Sequence, residues 1–238
     1  MQENVILIKK YGGEQLGGIN ENEVWRYAGY LGKIRNIDSE LKNTLNQVEK
    51  DLSACLSYRV CYRRIPITWE ESFPILPFPC KSKKLADSIK GSGEIIIFAA
   101  TIGLEIDRYI ARNQKISPSK ALLAQAYGAE RIEELCESFC NEIKEELKRE
   151  NLCTTKRFSP GYGDLPLETQ VDIFKLLDCS RQIGVSLNES LLMSPSKSVT
   201  AVFGIKKQET ENRENICNAD KCLDCNKSDC GFRRRQSK

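Results

Sequence analysis

The stretch Gly93–Gly103 reads GEIIIFAATIG, with three isoleucines in a row and no charge after Glu94. A strand with one wet face alternates apolar and polar residues. A continuous, β-branched apolar run predicts a strand covered on both faces. The run is also about half of the ~20 residues a membrane helix needs, so it reads as core. LEIDRYIARN (Leu104–Asn113) follows as a helix, and Ser117-Pro118 opens a much longer one that runs to about Glu150. Serine suits the N-cap there and proline the first turn. No glycine-rich phosphate loop joins strand to helix, and no regular βαβ rhythm continues along the chain. The fold class expected is therefore α+β.

Working outward, SKKLADSIK (Ser82–Lys90) is a short helix ended by Gly91, and YRVCYRRIPI (Tyr58–Ile67) alternates as a strand. SFPILPFPC (Ser72–Cys80), with three prolines, reads as a connector. Asn22–Leu56 is mostly helical, with apolar Leu41, Leu45, Val48, Leu52 and Leu56. A further helix is expected over Glu168–Cys179, and two strands around the Ser-Pro-Ser-Lys turn of Val185–Ile205. The expected organisation is a loose glycine-rich arm over 1–20, an α+β domain over 21–205, and a polar linker and cysteine-rich tail over 206–238.

Hydrophobic residues make up 40% and charged residues 29% of the 238, enough for one core beneath a solvated surface. A net charge of +3 is too mild to argue for nucleic acid by itself. There is no histidine, so acid–base chemistry or metal ligation falls to carboxylate, tyrosine, lysine or cysteine. The N-terminal apolar run is too short for a signal-peptide core, and a cytoplasmic location is expected. In a reducing compartment the eleven cysteines are thiols or metal ligands rather than disulfides.

The polar turn RFSPGYGDLPLET (Arg157–Thr169) stands between two helix patterns. Pro160 keeps Ser159 extended, and Gly161 can take the positive φ other residues avoid. Backbone groups in such a turn can face a ligand. Arg157 offers a planar fork for a carboxylate, and Tyr162 offers a ring face and a hydroxyl.

RFSPGYGDLP resembles the Arg-x-x-x-Gly-Tyr element of the activation domain of cobalamin-dependent methionine synthase. EVWRYAGY (Glu23–Tyr30), FAATIG (Phe98–Gly103) and the Ile183–Ile205 stretch are similar to further pieces of free-standing proteins of that family, in the same order. The resemblance covers roughly residues 20–205. It implies a curved antiparallel sheet with surrounding helices. It implies an S-adenosylmethionine site serving reductive remethylation of cob(II)alamin on a separate cobalamin-binding methionine synthase chain, with a low-potential electron donor. By the same resemblance Arg157 would hold the methionine carboxylate, the backbone of Ser159 and Gly161 would line the site, and Tyr162 would lie near the sulfonium and the corrin. A glutamate from the preceding helix is also implied, and Glu133 and Glu134 are the candidates. Ile132, Cys136, Phe139, Cys140 and Ile143 form one apolar stripe. At about 100° per residue Glu133 falls at its edge and Glu134 toward solvent, which favours Glu133. The acidic contact that the family draws from its N-terminal half has no clear match.

The tail carries Cys217, Cys222, Cys225 and Cys230 within fourteen residues and with almost no apolar neighbours. Such spacing suits a structural zinc, or an iron–sulfur cluster able to pass an electron to cobalt. Arg233, Arg234 and Arg235 behind it raise a second class of function, a nucleic-acid-binding appendage; the family resemblance is also compatible with an activator of, or S-adenosylmethionine sensor for, another corrinoid methyltransferase. Cys136 and Cys140, on the apolar stripe, read as core packing.

Overall fold

A computed structural model describes residues 5–30 and 37–208. In chain order it runs through β1 (Leu7–Tyr11), a 3-10 turn (Gly13–Leu16), α1 (Glu21–Tyr27), α2 (Ser39–Leu52), β2 (Tyr58–Pro66), β3 (Thr68–Glu70) and β4 (Phe73–Ile75). It continues with α3 (Lys83–Ser88), β5 (Glu94–Thr101), α4 (Glu105–Ile116), α5 (Pro118–Lys148) and β6 (Leu152–Thr154). It closes with α6 (Thr169–Leu177), α7 (Cys179–Ile183), β7 (Ser186–Leu187), β8 (Met193–Ser194) and β9 (Ser198–Lys207). The main sheet is antiparallel, in the order β1-β2-β5-β9-β6. The α+β class and the curled antiparallel sheet match the expectation.

β5 is the central strand, and its alternation explains its unbroken apolar sequence. Ile96, Phe98 and Ala100 join one core cluster with α1, α2, α4 and α5. Ile95, Ile97 and Ala99 join a second cluster with α3, α6 and α7. Helices thus cover both faces. α5 is seated on the first face by Phe139, whose ring centroid lies 5.0 Å from Phe98 and 5.1 Å from Tyr62. Burying one such side chain contributes about 1.5–3 kcal/mol. Cys136 lies in the same core and Cys140 packs against it, as the stripe predicts.

Two readings need correction and a third is refined. Residues 7–16 are not a loose arm: β1 pairs with β2 from Leu7↔Tyr62 to Tyr11↔Tyr58, and Leu16 is buried. Its lysines conceal the strand, but Lys9 pairs with Glu142 at 2.8 Å and Glu146 at 2.9 Å on α5, and the Tyr11 hydroxyl donates to Glu142 at 2.6 Å. The proline-rich connector holds β4, paired with β3 as a small hairpin. The helical stretch 22–56 contains two separate helices, α1 and α2. Two strands flank the Ser-Pro-Ser-Lys turn as expected: β8 pairs with β7, and β9 enters the main sheet and runs to Lys207. Pro118 opens α5 as expected, although Ser117 makes no side-chain cap.

Candidate functional site

Phe158 anchors the polar turn to the sheet. Its N–H donates to Val202 O and its carbonyl accepts from Val202 N–H, both at 2.8 Å. Its ring packs against the cluster shared with α6. Neighbours along an extended segment point to opposite faces, so Arg157 is directed toward α5. There its Nη2 donates to Glu133 Oε2, with Arg157 27% and Glu133 44% exposed. Burial works against the guanidinium charge, but the Glu133 carboxylate, which accepts its hydrogen bond, favours it, and its pKa lies above the ordinary value. Burial pushes the Cys136 thiol well up and the Cys140 thiol up to about 12, with Arg157 opposing in both. Both therefore remain thiols at neutral pH.

The rest of the turn is pinned from the other side. The Asp164 carboxylate accepts from Ser82 Oγ, from Lys83 N–H at 2.9 Å and from Lys84 N–H at 3.3 Å. These bonds, that of Ser82 foremost, lower the Asp164 pKa. Gly161 has φ +84° and Gly163 φ +63°, and a Cβ on Gly163 would lie 2.6 Å from Lys84 Cδ.

α1 packs against α5 and supplies the facing wall. Asn20 caps it, accepting from Glu23 N–H at 3.3 Å. Arg26 reaches back to Glu23 at 2.5 Å and lies 4.3 Å over the Tyr27 ring. Burial, and then the Glu133 charge, raise the Tyr27 pKa, so the phenol stays protonated opposite that carboxylate. Between these elements lies a cavity of about 320 Å³. Asn20, Glu23 and Tyr27 line one side and Arg157 another; α5 adds Glu130, Glu133, Glu134 and Glu137. A second hollow of about 390 Å³, at Asp51, Tyr109 and Lys120, contains none of the sequence-predicted residues.

Of those residues, Glu133 and Arg157 are brought together. Ser159, Gly161 and Tyr162 lie on the same turn but outside the cavity wall, and Tyr162 is 70% exposed. Glu134, assigned to solvent by periodicity, lines the cavity as well, because α1 covers the side of α5 that a lone helix would leave wet. Glu23 and Tyr27 were missed as site residues, although Asn20-x-x-Glu23 is a helix-start signal inside a stretch already marked by the resemblance. The four tail cysteines lie outside the described residues. Among the described residues no group of three or more histidine, cysteine or acidic side chains could hold a metal, and no helix is long and apolar enough to cross a membrane.

Fold and turn define an activation-domain architecture, and comparison with known proteins agrees. The model of the vitamin B12 dependent methionine synthase activation domain matches residues 80–228, more than half of the chain, and the chain belongs to that family. Among solved structures it is similar to the MetH reactivation domain in a crystal structure bound to AdoHcy, with a TM-score of 0.61 and 21% identity over 85% of this chain and 79% of that one. At that identity the likeness establishes the fold. Among curated proteins none matches.

Proposed function

We propose that this chain binds S-adenosylmethionine in the cavity between α1, α5 and the polar turn, and that it supports remethylation of oxidised cobalamin carried by a separate methionine synthase chain. The observation that carries the reading is the Arg157–Glu133 ion pair at the cavity wall. A methionine zwitterion can divide such a pair, placing its carboxylate on Arg157 and its ammonium on Glu133, so that one ion pair becomes two. Of the five glutamates around the cavity, Glu23, Glu130 and Glu133 are paired with Arg26, Arg131 and Arg157, and the charge of Glu134 and Glu137 left over suits a ligand whose sulfonium adds a net positive charge. The volume falls at the lower end of the roughly 300–1,000 Å³ of small-molecule pockets. The MetH structure holds S-adenosylhomocysteine in the same fold.

Cobalamin on the partner would supply the cobalt nucleophile that accepts the methyl group, once a low-potential donor has provided one electron. This chain's part is orientation and exclusion of water, which needs no histidine. Arg157 and Glu133 fix the amino-acid end of the ligand. Tyr162, directed outward, is available to a group the partner brings. Calorimetric titration of S-adenosylmethionine into anaerobically purified protein, with and without a cobalamin-loaded partner domain, tests the proposal. Binding that the partner strengthens is expected; no binding in either condition refutes it.

A further inference from the structure

Glu130 lines the cavity, yet its carboxylate is already fully engaged. It is 3% exposed. Its Oε1 accepts from the Asn20 backbone N–H at 2.9 Å and from Arg131 Nη2 at 2.6 Å, and its Oε2 accepts from Arg131 Nε at 2.5 Å. Arg131, equally buried, also donates from Nη1 to Gly17 O at 3.1 Å and from Nη2 to Gly18 O at 3.3 Å. Tyr58 and Tyr127 lie alongside it. Gly17, Gly18 and Asn20 lead directly into α1. The pair therefore ties α5 to the segment that delivers Glu23 and Tyr27.

A buried ion pair is a weak source of stability, because desolvation offsets most of its attraction; its directional bonds can nevertheless fix one arrangement among several. α1 has need of such a device, since it is seven residues long and buries only Val24 and Trp25. Glu130 also stands one helical turn before Glu133, on the same side of α5. We propose that Glu130 and Arg131 are positioning residues: the buried pair sets where α1 stands against α5, and through it the placement of Glu23 and Tyr27 in the cavity. The link to ligand binding rests on the function proposed above, whereas the positioning of α1 does not.

The test uses the full chain carrying Glu130→Gln and, separately, Arg131→Lys, which keeps the charge but loses the fork to the Gly17 and Gly18 carbonyls. Hydrogen exchange without ligand is expected to accelerate by about tenfold or more over residues 20–27, with β5 and β9 unchanged. Affinity for S-adenosylmethionine is expected to fall by about fivefold or more in Glu130→Gln, and by less when Glu23→Gln is already present, because the two act through one element. Unchanged exchange over 20–27 in both variants overturns the proposal whether or not the ligand binds. Acceleration spread evenly over the fold also overturns it, as the mark of a merely structural pair. Effects of Glu130→Gln and Glu23→Gln that simply multiply overturn the link to the cavity. Localised acceleration in the variants, together with a wild-type chain that binds no ligand, upholds the positioning and refutes the ligand.

Discussion

Replacing Arg157 with alanine tests the centre of the proposed site. The side chain is 27% exposed and its fork is shared with Glu133. If it holds the ligand's carboxylate, alanine removes a charge-assisted interaction worth about 1.5–3 kcal/mol. Part of that is offset in the wild type, because the ligand must loosen the existing pair. Glu133 is 44% exposed, so the pair is screened by water and contributes about 0.2–1 kcal/mol. The net loss is about 0.5–2.8 kcal/mol, or roughly 2- to 100-fold in Kd.

Calorimetry with two ligands separates the carboxylate contact from general disruption. Decarboxylated S-adenosylmethionine lacks the group Arg157 is proposed to hold, so it should bind the wild type more weakly by a similar factor. It should bind Arg157→Ala with nearly unchanged affinity. Glu133, freed by the substitution, can rehydrate at its exposure, so a thermal melt should show a preserved cooperative fold. If a folded Arg157→Ala protein binds both ligands within about twofold of wild type, a difference of only ~0.4 kcal/mol, the carboxylate assignment is wrong.

Three further outcomes are expected. Gly163→Ala places a side chain at φ +63° and close to Lys84 Cδ; since the lysine can move, the backbone term dominates, and urea unfolding should show a loss of about 1–2 kcal/mol. A neutral result would mean that the turn relaxes freely. Asp164 has a pKa lowered by the Ser82 hydrogen bond, so its contribution is complete above the unfolded value near about 4 and is lost as pH falls through the lower folded value. The stability gap between wild type and Asp164→Asn should therefore narrow on going from about pH 6 to about pH 3; a gap independent of pH would remove Asp164 as a charged anchor. Anaerobically purified protein should carry zinc, or iron with labile sulfide, that is lost in a Cys222→Ser, Cys225→Ser double variant. Metal retained by that variant, or absent from the wild type, refutes the tail site.

Local signals made β5 and α5 legible, because their burial follows from their own residues: an unbroken apolar run for one, a stripe at helical spacing for the other. β1 was hidden because the partners that make its polarity affordable are far away in sequence. Lys9 and Tyr11 are polar residues of a sheet edge only once Glu142 and Glu146 stand beside them. β6 is three residues long, too short to show any period, and is defined by its register against β9.

The site divides along the same line. A motif marks Arg157 and a helical angle marks Glu133 as candidates, and the two side chains pair at the cavity wall. Glu134 was misplaced by the same angle, because periodicity measures direction from the core and takes every other direction to be water. α1 breaks that assumption by lying on α5 and enclosing a polar space between them. Its own short sequence does not announce this position. The decisive contacts are the backbone groups of Gly17, Gly18 and Asn20 on a buried glutamate and arginine more than a hundred residues away. A carboxylate's angle from an apolar stripe therefore says whether it leaves the core, and only the packing of a second element says whether it leaves for solvent or for a ligand.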